Sequence, residues 1–417
     1  MDYAAHSLMV DQGIYYSNRT GRKLSDLVLA VEPNRWTDCF SLNVLELNGN
    51  PLSSYTLSGQ RLQIELPKPL SPGGAVDLHV KFDLFLPPKS FSSTFGYLGY
   101  QADLTDWYPF VVPYDREQGW VLHDPTSFGE HLVYESADYD VKLRFKDAEN
   151  APVVAASAPG EPSGKWTHYR LEAARTFVFS ASPLFKVKAS AVGNVAIHSY
   201  YFPEHQAGGE ALVWAATQAL GVYNARFAPY PYASLSIVET EVPDGQEYDG
   251  LVFLSSTFYG EYDGTGRNNL IDIGVHEMAH QWWFGLVGDD QALEPWLDEA
   301  LATYSEHIFY EYNYPGSVNW WWNFRVYYLH PTGWVDTSIY NGGSFRPYTN
   351  AVYMRGAEFL EDLRGRIGDK AFFSFLKDYA SEYAHQIVTG QEFFDLLGKH
   401  TDADYSDIVG RYFQNYP

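Results

Sequence analysis

Two histidines four residues apart in GVHEMAHQWWFG, His276 and His280, constrain this chain more than any other feature. On a helix, positions i and i+4 stack on one face, so two imidazole nitrogens can converge on one ion. Glu277 lies about 100° around the same helix. From there it can reach a metal-activated water without being a ligand, which is the position a general base needs. HExxH by itself also occurs by chance in buried helices, so the flanking sequence decides. A hydrolytic metal centre needs a third protein donor and leaves one position for water. The segment EPWLDEALATYSE offers that donor. Pro295 suits a helix N-terminus, and Glu299 follows His280 by 19 residues, enough for a short loop and an antiparallel helix. Asp298 is the neighbouring candidate but points about 100° away. Glu306 falls two turns further along the Glu299 face, where it is expected to accept a hydrogen bond from a ligand histidine. Imidazole and carboxylate donors make zinc the natural choice, one ion per chain, and leave other divalent metals open. The other 11 of the 13 histidines show no comparable pairing; His6, His123, His131, His307 and His330 are expected to be surface or packed residues.

Charge and composition narrow the function classes. The net charge is −24. Nucleic-acid binding needs a basic surface that displaces counterions, so that class is excluded. Anionic membrane surfaces are disfavoured, and cationic ligands such as peptide N-termini are compatible. Cys39 is the only cysteine, so neither an intramolecular disulfide nor a cysteine zinc site is possible. No run of 18 apolar residues exists to span a membrane. MDYAAHSLMVDQGIYYSN has no basic n-region and no long apolar run, so it does not read as a signal peptide. The 33 Tyr and 12 Trp are expected to line a core or a substrate groove.

At 417 residues the chain is expected to form two or three domains. The first ~190 residues read as short β runs, among them 25–31, 60–66, 75–86, 139–145 and 176–182, separated by LNGNP, SPGG and APGEPSG turns. A β-sandwich-like domain over 1–190 fits. From about 210 the period becomes helical: 210–227, then a strand over 234–240. Helix-like runs follow at IDIGVHEMAHQWWFGLV, PWLDEALATYSEHIFYEY, GSVNWWWNFRVYYL, NAVYMRGAEFLEDLRGRI and beyond. The expectation is an α+β chain, with a β N-terminal domain followed by a mainly helical domain over 191–417.

HEMAHQWWFG followed by WLDEALATYSE resembles the M1 family of zinc aminopeptidases, the gluzincins. PDGQEYDGLVFLSS (243–256) resembles that family's GAMEN exopeptidase segment, or its GMEYPG variant. AVYMRGAEFL (351–360) resembles its YxKGA segment, and NARFAPYPYASLSIVE (224–239) its FGPYPY segment. The likeness runs weakly through the β half, where YQADLTDWYPF (100–110) sits at a TQ…P segment. The resemblance implies a thermolysin-like catalytic domain with His276, His280 and Glu299 binding zinc and Glu277 as general base. It implies Glu247 as the carboxylate that holds a substrate's free α-amine, Tyr353 as the donor to the oxyanion, and Gln101 in contact with the N-terminal residue. It therefore implies an aminopeptidase acting on peptides with a free N-terminus. Without the resemblance, a solvated turn residue is the competing reading of Glu247, and Tyr353 reads as a packed core tyrosine.

The departures are specific. Gly245, Gln246 and Tyr248 replace Ala, Met and Asn of GAMEN, Asp249 replaces a Pro or Trp, Arg355 replaces a lysine, and Asp298 replaces an asparagine. The chain stops about where the catalytic domain should end, which implies a more open cleft than in larger members. A gluzincin endopeptidase is one rival reading, which Glu247 opposes. A retired, peptide-binding protein is another, which the intact set of His276, Glu277, His280, Glu299 and Tyr353 opposes. The two-domain layout is expected in an extracytoplasmic enzyme, or one anchored to a membrane through a segment absent from this chain. Residue preference, physiological substrate and oligomeric state are not encoded in any feature of the sequence.

Overall fold

The computed structural model describes residues 1–90 and 93–415. Up to Ser182 the described chain is built mainly from β-sheets. Ala75–Phe85 shows why: Val76, Leu78, Val80, Phe82 and Leu84 are buried, and the residues between them face outward. This strand pairs antiparallel with Ser7–Ser17 and with Phe40–Leu47. A second sheet carries Leu24–Ala30, Arg61–Leu70 and Tyr55–Ser58, with Phe110–Val111 at its edge. Two more antiparallel sheets are built around Gln101–Leu104 with Phe179–Ser182, and around Ala137–Leu143 with Trp166–Ala174.

A five-stranded mixed sheet opens the second half, in the order Lys186–Val192, Val195–Tyr201, Ser234–Thr240, Leu251–Ser255, Gly245–Tyr248. Its first strand, Lys186–Val192, runs across position 190. Val195–Tyr201 and Ser234–Thr240 are parallel. A parallel pair needs a crossover, and the helix Gln206–Arg226 supplies it. Every residue of Ser234–Thr240 is buried, as a parallel strand covered on both faces requires. The edge strand Gly245–Tyr248 runs antiparallel to Leu251–Ser255 and presents Glu247.

Three helices complete the frame. Asn269–Ala279 is capped by the Asn268 side chain, which accepts from the Ile271 amide at 3.1 Å. His280 sits at its C-cap in helical conformation, so His276 and His280 keep one face. The helix stops there, short of the expected run to Val287, because the chain turns sharply at Phe284, whose φ is +122°. The helix Trp296–Asn313 is buried from Trp296 to Tyr310. Arg355–Ile367 packs on it so closely that a Cβ at Gly356 would collide with Ala300.

Two expected helices carry an interruption. Trp322–Val326 and Asn350–Met354 are π-helical turns, at the ends of Val318–Trp321 and Phe345–Thr349. Such turns re-aim side chains by one residue, and they recur at functional sites. Here they present Arg325 and Tyr353. Among the described residues, no helix is long and apolar enough to cross a membrane.

Candidate active site

Antiparallel packing of the HEMAH helix against Trp296–Asn313 brings three donors together. His276 Nε2 lies 3.2 Å from Glu299 Oε2, His280 Nε2 lies 3.4 Å from the same oxygen, and the two Nε2 atoms are 3.1 Å apart. Both Nδ1 atoms are already engaged: His276 donates to Glu306 Oε1 at 2.8 Å, and His280 to the Trp283 carbonyl at 2.9 Å. Two imidazole lone pairs and a carboxylate therefore face one point. Ligand bonds of about 2.0–2.2 Å in tetrahedral array place donors roughly 3.4 Å apart. The observed spacings fit a divalent cation held by His276, His280 and Glu299.

Asp298 does not join them. Its Oδ1 accepts from the Glu299 amide at 2.6 Å and its Oδ2 from Gln291 at 2.9 Å. Glu306 is fully buried and is held by more than His276. Trp321 donates to it at 2.9 Å, and Arg325, presented by its π turn, donates through Nε and Nη2 at 2.9 and 3.0 Å. Asp272, one turn before His276, shares the Trp321 N–H at 2.8 Å. Behind His280, the strained Phe284 backbone is pinned by Arg175, whose Nε donates to the Phe284 carbonyl at 2.6 Å. The N-terminal half thus steadies the carbonyl next to the one His280 needs.

Glu277 is buried, and its Oε2 has no hydrogen-bond partner among the described residues. A Cβ on Gly245 would fall on its carboxylate, so the edge strand can approach the helix this closely only as glycine. Burial, reinforced by Glu247, raises the Glu277 carboxyl well above the usual carboxylate range. Tyr353 stacks on His276, centroids 5.9 Å apart and planes 10° from parallel, and its hydroxyl donates to Glu299 Oε1.

Glu247 is buried and oriented by two amides: Gln246 Nε2 donates to its Oε2 at 2.9 Å and Gln291 Nε2 to its Oε1 at 3.1 Å. The same Gln246 nitrogen lies 3.2 Å from Oε1 of Glu130, which reaches in from the N-terminal half. Carboxylate oxygens of Glu130, Glu247 and Glu299 lie within 4.8 Å of one another. Burial, with Glu247 and Glu299 close by, pushes the Glu130 carboxyl up to about 8. No Lys or Arg is paired with Glu130 or Glu247 among the described residues, so this cradle is built to receive a cation.

Gln101 is not brought to this cradle. It is buried, and its amide donates to Ser180 Oγ at 3.1 Å and the Glu239 carbonyl at 2.9 Å, within the network that joins the two halves. Asp249, the departure after Tyr248, also ties the halves together. It accepts from the Arg175 amide at 3.0 Å, from the Thr176 amide at 2.7 Å, and from Tyr232. Glu130 and Tyr348 escaped sequence reasoning. Tyr348 is buried, its ring 6.0 Å from that of Tyr353, and its hydroxyl has no partner among the described residues. A clue to Tyr348 is its place five residues before Tyr353 on the same helical run; Glu130 has no local pattern.

Residues 216–412 match the family model described as the peptidase family M1 domain. Among curated proteins, "Aminopeptidase O" of Rattus norvegicus is 24% identical over 249 residues, 51% of this chain and 30% of the relative. "Aminopeptidase M1-C" of Oryza sativa subsp. japonica is 24% identical over 227 residues, 48% of this chain and 25% of the relative. The chain thus spans less than a third of the length of these relatives. The crystal structure of an M1 zinc metallopeptidase from Deinococcus radiodurans superposes with a TM-score of 0.68 at 17% identity, covering 99% of this chain and 91% of that one. A mutant of that protein, solved with a Tyr-ser-ala substrate, matches with the same TM-score, identity and coverage.

Proposed function

We propose, from the premise that residues 216–412 of this chain form a peptidase family M1 domain, that it is a zinc-dependent aminopeptidase. Its substrates are peptides with a free N-terminus, and it takes one zinc per chain. One observation carries the reading: the three converging donors lie next to an unpaired carboxylate cradle, with donor oxygens of Glu247, Glu277 and a nitrogen of His280 within 4.8 Å of one another.

His276, His280 and Glu299 would hold the zinc. Bound there, zinc supplies Lewis acidity to a substrate carbonyl and to water. The remaining roles belong to the chain. Glu247 and Glu130 bind the α-ammonium by charge-assisted hydrogen bonds, and this fixes the first peptide bond in place. Glu277, its carboxyl raised by burial, accepts the proton that the attacking water sheds and returns it to the leaving amine. Tyr353 turns its hydroxyl from Glu299 toward the oxygen that gains charge at the scissile carbonyl. Glu306, clamped by Arg325 and Trp321, keeps the His276 ring and its tautomer fixed.

Metal analysis of the purified protein is expected to find one zinc per chain. Aminoacyl amides should be cleaved, the activity should vanish with a chelator, and added zinc should restore it. Chelator-insensitive cleavage would sink the proposal. Tyr353→Phe is expected to lower kcat by ~10²–10³, the cost of losing one oxyanion donor, with a smaller effect on KM. An unchanged kcat would return Tyr353 to a packing role.

A further inference from the structure

We propose that His123 and Asp290 are positioning residues for the reaction: their hydrogen bond sets Glu130 opposite Glu247, and thereby sets how tightly a substrate's α-ammonium is held. The inference rests on the aminopeptidase reading and deepens it.

Glu130 lies in a stretch, residues 123–131, without helix or strand. Such a segment has no ladder of backbone bonds to fix it, so side chains must do so. Gln60, buried in the N-terminal half, clasps both ends. Its Nε2 donates to the His123 carbonyl at 2.6 Å, and its Oε1 lies 3.1 Å from His131 Nε2. Between the ends, Phe128 packs on Tyr348 with ring centroids 5.2 Å apart. Gly129, at φ +72°, comes so close to Ile339 that a Cβ there would collide with it. The loop is thus a closed unit that rests on the second half of the molecule.

Two of its bonds to that half come from its first residues. The Tyr340 hydroxyl donates to the Asp124 carbonyl at 2.7 Å. The His123 imidazole donates through Nε2 to Asp290 Oδ2 at 2.8 Å, with the two side chains 14% and 21% exposed. The second bond bears on the site. The other oxygen of Asp290 accepts from the amides of Ala292 at 3.1 Å and Leu293 at 3.0 Å, so this carboxylate braces the turn that holds Gln291. Gln291 is buried and donates to Glu247 Oε1 at 3.1 Å. A short chain of contacts therefore runs from the Glu130 loop through His123, Asp290 and Gln291 to Glu247. From the other side, Gln246 Nε2 bridges the same two carboxylates at 3.2 and 2.9 Å.

The cradle needs such a brace. Oxygens of Glu130 and Glu247 lie within 4.8 Å of each other, a range at which two ionised carboxylates repel. An irregular loop gives way to that repulsion unless it is tethered. A tethered loop keeps the two carboxylates in register before the ammonium arrives, which removes the cost of ordering them on binding.

The test uses Tyr-Ala-Ala and the analogue of that peptide without its amino group, measured as a competitive inhibitor. In His123→Ala, KM for Tyr-Ala-Ala is expected to rise by about 5–10-fold, the range of one net hydrogen bond, with zinc content at the wild-type level. The inhibition constant of the analogue should not change, because it brings no ammonium to the cradle. His123→Gln, whose amide nitrogen falls near the place of the imidazole Nε2, should recover most of the loss. In a Glu130→Ala background, His123→Ala should add nothing further, since residues that act as one unit are not additive. A wild-type KM in His123→Ala, an equal loss of affinity for the analogue, or full additivity with Glu130→Ala would each overturn this proposal alone. No cleavage of Tyr-Ala-Ala by the wild type would overturn the aminopeptidase reading and this proposal together.

Discussion

Glu277→Gln is expected to keep its metal and to lose turnover by about 10²–10⁴-fold, the contribution of a positioned general base. The helix places Glu277 off the face that carries His276 and His280, so the substitution leaves the ligand set intact. The amide matches the carboxylate in shape, which matters because Gly245 lies against it with no room for a larger group. What the amide lacks is a basic oxygen. Burial has raised this carboxyl, so it can take a proton from water and give it up again in one cycle. Metal content measured beside kcat separates the roles. Zinc at the wild-type level with turnover gone is the expected pair of results. Loss of zinc would mean that Glu277 is a ligand.

Glu299→Ala should do the reverse. It removes the carboxylate oxygen that faces both Nε2 atoms, at 3.2 and 3.4 Å, and leaves two imidazoles to hold the ion. Asp298 cannot stand in, because both its oxygens are engaged by the Glu299 amide and Gln291. Chelator competition should show zinc affinity falling by more than the ~10–100-fold typical of losing an outer hydrogen-bond partner. Glu306→Gln provides that smaller reference, because Glu306 reaches the ion only through its bond to His276 Nδ1, even though the substitution also weakens its bonds with Trp321 and Arg325. Equal affinity losses in the two variants would contradict the assignment of Glu299 as the third donor.

Periodicity made much of this molecule legible. The HEMAH pair, the 19-residue step to Glu299 and the further two turns to Glu306 each follow from one helix facing another. The alternation in Ala75–Phe85 is visible as written. What escaped was set by contacts between distant segments. Glu130 lies in a loop with no local pattern and reaches the site only because the N-terminal half packs against the edge strand. Arg325 sits on a π turn, where helical spacing mispredicts direction by one residue; Tyr353 sits on another and was legible only through its motif. Gln101 followed a loose match, and the fold buries it among Ser180 and Glu239 instead. Asp249 reads in the sequence as a change to the substrate-binding segment, and in three dimensions it is an anchor for Arg175, Thr176 and Tyr232.

In the proposed reading Glu247, with Glu130, captures a free α-amine and so confines cleavage to the first peptide bond. Tyr-Ala-Ala and its N-acetylated form, followed by mass spectrometry with wild type and Glu247→Ala, test it most directly. The wild type is expected to release tyrosine from the free peptide and to cut the acetylated one at least ~10²-fold more slowly, since acetylation removes the charged partner of a buried carboxylate. Glu247→Ala should lose most of its activity on the free peptide, in KM and kcat alike, because a displaced amine carries the carbonyl away from the triad. Cleavage of the acetylated peptide at an internal bond, as fast as the free one is cut, would contradict the claim and make the protein an endopeptidase.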